Sequence, residues 1–123
     1  MKMPATAPRG EPIRITGTTP ETAVTVLEAA ADEIIDYYLF GANEDAELQT
    51  VTFLLGVAAA QTTNLANHAI SYSLAASQGL QILGPGLRIA GASGTATQVR
   101  AYASVDSGDV RVCVTANAAT EPS

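Results

Sequence analysis

Positions 48–87 are forty consecutive residues without a formal charge, and they contain the only histidine of the chain. A helix on the outside of a small soluble domain normally turns a charged face to water, and no such face can be drawn here. Leu48, Val51, Leu55, Ala58, Thr62, Leu65, Ala69, Tyr72 and Ala76 recur at steps of three and four, the spacing of a core-facing helical stripe. Phe53, Val57 and Ala60 add a second apolar side. Asn43 suits a helix N-cap, with Glu44, Asp45 and Glu47 in the first turn, and Gly79 suits a stop. The pattern predicts a helix over about 44–77, about 50 Å long at 1.5 Å per residue. A bend near Gln61–Asn64 is the alternative, because Thr62 and Thr63 weaken helix propensity.

The flanking sequence predicts the remaining elements. Thr19, Pro20 and Glu21 make a plausible helix start and Gly41 a plausible end, giving a first helix over about 20–40. Pro4, Pro8 and Pro12 make residues 1–12 an extended arm. "IRIT" at 13–16 alternates apolar and polar, as a short strand does. In the last third, "LQIL" and "LRIA" flank Gly84-Pro85-Gly86, and "TQVRAYASV" and "VRVCVTA" flank a hairpin signal at Asp106–Asp109. The expected fold is therefore α+β: an N-terminal arm, two antiparallel helices and a C-terminal antiparallel sheet of three to four strands. Residues 13–123 form a single domain.

The composition narrows the function classes. The chain has 123 residues, of which 47% are hydrophobic and 15% charged, against about 25% charged in an average protein. The formal net charge of −6 argues against a phosphate-binding nucleic-acid partner and against an anionic membrane surface. One cysteine, Cys113, leaves no internal disulfide and no zinc site built mainly of thiolates. The first residues lack the apolar run of a secretory signal, so cytoplasmic synthesis without export by that route is expected. No window reaches the length of an apolar membrane span.

Few groups point to chemistry. On a helix, Asn64, Asn67, His68, Ser71 and Tyr72 would share one strip. A serine three residues from a histidine invites a nucleophile reading, but mid-helix N–H groups offer no oxyanion hole and no nearby carboxylate orients the ring. The strip reads better as an interface that sets helix register. Glu28, Asp32 and Asp36 would form an acidic column at i, i+4 and i+8. It reads as a solvated face, with docking of an arginine from a neighbouring copy or of a hard cation as alternatives. "GASGTATQ" lacks the ending of a phosphate-binding loop. No catalytic residue, metal site or cofactor is assigned.

These readings converge on a non-enzymatic structural protein. It would form a symmetric homo-oligomer through the second helix, within a larger assembly such as a virion head decoration or tail and connector component. Its partners would be copies of itself and neighbouring structural proteins. In composition the chain resembles small self-assembling shell or virion proteins. The alternative is a small-molecule binding protein or small enzyme, with a pocket around His68 between the second helix and the sheet.

Overall fold

Ile35, Tyr37, Leu39 and Gly41 are buried, while Asp36, Tyr38, Phe40 and Ala42 are not. A burial period of two belongs to a strand with one face on a core, and it recurs through the chain. The structure, a computed structural model, describes residues 12–105 and 109–118. Nine strands follow in order: β1 (Ile13–Arg14), β2 (Val24–Ala29), β3 (Ile34–Asn43), β4 (Gln49–Ala58), β5 (Ala69–Leu74), β6 (Gln78–Ile82), β7 (Leu87–Ala90), β8 (Thr97–Ala103) and β9 (Val110–Ala118). Two short 3-10 turns, Pro20–Thr22 and Leu65–His68, interrupt the connections.

The strands form two antiparallel sheets. The first, sheet A, runs β1-β9-β3-β6, with β7 on the same side of β3 as β6; the second, sheet B, runs β2-β8-β4-β5. β6 pairs with the second half of β3 and β7 with the first half, so the two are one strand position broken at Gly84-Pro85-Gly86. Counted in that way, the order is that of an eight-stranded jelly roll. The sheets pack face to face. Tyr37, Leu39, Val112 and Ile89 of sheet A share one core with Leu27, Val51, Phe53, Val99 and Leu74 of sheet B.

The expected α+β fold is thus overturned, and no α-helix occurs among the described residues. The segment at 20–40 keeps only a single 3-10 turn of its predicted helix, where Thr19 and Thr22 close a capping box. Beyond it, Val24, Thr25, Val26, Ile34, Ile35, Tyr37 and Tyr38 are β-branched or aromatic residues that fit a pleated surface better than a helix. The segment at 44–77 is β4, a loop and β5. Asn43 caps nothing; it is fully buried, and its amide Nδ2 donates to the carbonyls of Glu47, Leu74 and Ala75 at 3.0–3.2 Å. The C-terminal part is also paired differently. β8 and β9 lie in different sheets rather than in one hairpin, and β6 and β7 lie end to end along β3.

Of the neutral stretch, only β4 is buried on both faces. Leu48, Ile70, Leu80 and Ile82 are 40–60% exposed, so the helical seam expected to drive oligomerisation falls with the helix itself. The arm at 1–12 lies outside the described residues except for Pro12, as does the turn at 106–108. Among the described residues no helix is long and apolar enough to cross a membrane.

Candidate functional site

The two outer faces of the sandwich are finished in different ways. On sheet B, Leu54 and Val57 point away from the main core, yet both are fully buried. A bulge between Leu54 and Val57, with Gly56 at φ +70, re-aims the end of β4. The loop between β4 and β5 then folds back, so that Leu65 closes a small second core, with Ala23 and Tyr102 packed against it.

Polar contacts lock that loop down. The Arg100 guanidinium donates to the carbonyls of Gln61, Ala58 and Ala59 at 3.0–3.3 Å and to Gln98 Oε1 at 2.8 Å. His68 Nδ1 lies 2.8 Å from the Leu55 carbonyl. A carbonyl only accepts, so Nδ1 carries the proton and Nε2 is left to accept from the Gln61 amide, 3.3 Å away. Gln61 Oε1 in turn accepts from the Ala58 N–H. The histidine and its neighbours hold a loop, and both ring nitrogens are engaged.

Sheet A has no such cover among the described residues. Along its outer face Phe40 stands opposite Ile82 on one side and Cys113 on the other. Tyr38, opposite Thr115, is 47% exposed, and Ile82 and Leu80 are 51% and 56% exposed. The Tyr38 ring leans over Gly86, where an added Cβ would come within 2.9 Å of it. Burial pushes the Cys113 thiol up from its ordinary value. Charges of both signs bound this apolar strip. At one end Arg88 makes a two-pronged pair with Asp36 at 2.6 and 3.0 Å, and the hydrogen bond from Arg88 holds the Asp36 carboxyl below its usual range. At the other end Arg111 pairs with Glu44 at 2.7 Å, and Arg14 stands opposite Arg111 on β1. An open groove of about 340 Å³ runs past Asp36, Tyr38, Gly86 and Arg88.

The residues singled out from the sequence are dispersed. Asn64 adopts a left-handed conformation ahead of the 3-10 turn, and Asn67 is exposed within that turn. Ser71 and Tyr72 are neighbours on a strand and therefore face opposite ways. Ser71 shares a hydrogen bond with Thr52 at 2.8 Å on the outside, while Tyr72 packs edge-on against Phe53 inside, with ring centroids 5.9 Å apart. The structure thus joins His68 to Gln61 and Leu55, not to Asn64, Ser71 or Tyr72. The acidic column is likewise split over three places. Glu28 on β2 accepts from Gln98, Asp32 sits at φ 64 in the turn between β2 and β3, and Asp36 on β3 holds Arg88 of its own chain. Among the described residues no group of three or more His, Cys, Asp or Glu is placed to hold a metal ion. Sequence reading did not join Tyr38 and Phe40 to Leu80 and Ile82 in one strip. The signal was present as the alternation Asp36, Tyr38, Phe40 against Ile35, Tyr37, Leu39.

Comparison of the chain with protein-family models, with curated proteins and with solved structures gives no match.

Proposed function

We propose that this protein is a structural building block that associates with copies of itself, within a larger assembly such as a virion head decoration or a tail or connector component. One observation carries the reading: the outer face of sheet B is closed by the chain's own loop, whereas that of sheet A keeps Tyr38, Leu80 and Ile82 in water around Phe40. An apolar patch of this kind, bounded by polar groups, is characteristic of a contact surface. The strand order supports the reading only at the level of fold, because jelly rolls form viral shells but also lectin domains and cupins. The small-molecule alternative has less support, because the ring nitrogens of His68 are taken up by Leu55 and Gln61.

Light scattering on the purified protein tests the proposal, with negative-stain electron microscopy for larger particles. Association at micromolar concentration is expected. A protein that stays monomeric up to about 100 μM, where an affinity of only about −5.5 kcal/mol would already show, is not a building block of this kind.

A further inference from the structure

We infer that the open edge of β6 takes the β6 of a second copy of this chain, antiparallel, about a two-fold axis that stands perpendicular to sheet A at Gln81. The inference rests on the building-block reading and gives it a contact.

An edge strand carries a row of unpaired N–H and C=O groups, and proteins blunt such rows with short strands, bulges, charge or proline. The edges of this sandwich are treated unequally. β1 is two residues long. β2 shifts register between Thr25 and Leu27 and carries Glu28. β7 is four residues long and carries Arg88. β6 shifts register against β3 between Gln78 and Gln81, but it has neither charge nor proline. Gly79, Leu80, Gln81 and Ile82 are all exposed, and among the described residues no strand pairs with β6 on the side away from β3.

The ladder tells which groups face out. The Leu83 N–H donates to the Leu39 carbonyl at 2.7 Å, with Ile82 opposite Phe40 and Gln81 opposite Gly41. Hydrogen-bonded and non-hydrogen-bonded pairs alternate along an antiparallel ladder. Gln81 therefore turns its N–H and C=O to β3, and Ile82 turns its own to the open edge. With the axis at Gln81, Ile82 of each copy offers these groups to Leu80 of the other. The two side chains, 51% and 56% exposed in the single chain, then lie against one another as a cross-strand pair. An axis at Leu80 would instead set Ile82 opposite Gln78. The row Cys113, Phe40, Ile82 runs on into the second copy, so the apolar strips of the two sheets become one.

This edge suits its own copy. Around a two-fold axis each residue lies near its counterpart, so a charged edge would meet like charge. The chain has a net charge of −6, and its longest charge-free run, 48–87, supplies both strands of this flank. β5 is the edge of sheet B on the same side, since Leu74 and Leu83 both lie beside Gly41. From Ala69 to Ile82 there is no Asp, Glu, Lys, Arg or Pro, and the axis brings two such flanks together.

The axis also sets a distance. In a non-hydrogen-bonded antiparallel pair the two Cα atoms are about 4.5 Å apart, within the disulfide span of roughly 4.4–6.8 Å. Gln81→Cys in a Cys113→Ser background should therefore link two chains under mild oxidation. Ala90→Cys in the same background, exposed on β7, is the control. Ile82→Pro removes an N–H that β3 does not use, at an edge position that tolerates proline. Expected are a wild-type dimer by light scattering, linkage at position 81 well ahead of position 90, and dissociation weakened in Ile82→Pro. That weakening is about thirtyfold, or about 2 kcal/mol, for the two hydrogen bonds lost. An associating wild type that links no faster at 81 than at 90, or that Ile82→Pro leaves unchanged, overturns this edge and leaves the building-block reading standing. A monomeric wild type overturns both. If the proline variant does not fold, the two linkage rates decide.

Discussion

Asn43 shows how much one side chain holds in this fold. Its amide bridges the turn after β3 to the end of β5, and its Oδ1 accepts from the Asp45 N–H at 2.9 Å. Asn43→Ala removes the side-chain partner of three carbonyls and an N–H around a fully buried position. Leaving a buried polar group unsatisfied costs about 1–3 kcal/mol, so a loss of about 2–3 kcal/mol is expected once water reaches the outer partners. Urea titration measures it, and a loss below about 0.5 kcal/mol, the scale of an ordinary surface change, would mean that the bridge is dispensable. Tyr37 makes a different prediction. Burial, and secondarily the charge of Tyr72, push its phenol up to about 12 from 10.0. The native protein therefore keeps a proton that the unfolded chain releases, and between those values stability falls as pH rises. Tyr37→Phe removes this term. Its urea midpoint should decline less than that of the wild type through the alkaline range, and parallel declines would place the titration elsewhere.

At the scale of elements, the helical misreading has a physical source. In positions 48–76 apolar residues are so frequent that steps of three and four can be traced through them, yet Val51 and Phe53 face the core in strand alternation. Val51, Thr52 and Phe53 are strand formers, and Gly56 is the bulge at which the pattern changes face. The C-terminal strands were more legible, because Val99, Ala101 and Ala103, and likewise Val110, Val112 and Val114, alternate cleanly and are buried. Their partners were not legible, since pairing between residues far apart leaves no local mark. The site suffered the same loss. Arg100 looks like one more surface charge in the sequence, and only the fold brings Ala58, Ala59 and Gln61 to it. Arg100→Met keeps the aliphatic stem and removes the donors. Hydrogen bonds to a charged group contribute about 1.5–3 kcal/mol, and the variant should lose stability in that range. Because Arg100 reaches three carbonyls at the start of the loop, cleavage should appear first at 59–68 in limited proteolysis mapped by mass spectrometry. An unchanged cleavage map would show that Leu65, His68 and Gln61 keep the loop in place without Arg100.

For the whole molecule, the jelly roll separates what the chain can close by itself from what it leaves open. The chain crosses between the sheets several times, and each crossing brings apolar side chains inward: Ile13 and Ile15 near the start, Val112 and Val114 near the end. Sheet B is then covered by the loop that Arg100 holds. Sheet A has no comparable cover among the described residues, and on the proposed reading its apolar strip is taken by a partner. Folding and association are then linked, because a partner that binds only the native face stabilises it by mass action. For a dimer unfolding to separate chains, tenfold more protein adds about 1.4 kcal/mol per dimer, or about 0.7 kcal/mol per chain. For a domain of this size that raises the melting temperature by about 2–4 °C per tenfold step. The wild type should show this rise by calorimetry across two concentration decades above its dissociation constant. Tyr38→Glu/Ile82→Glu should melt at one temperature throughout, because both substitutions lie on the contact face and outside the core. A concentration-independent wild type, melting with the variant, would mean that water alone wets this face and that the fold is complete as a single chain.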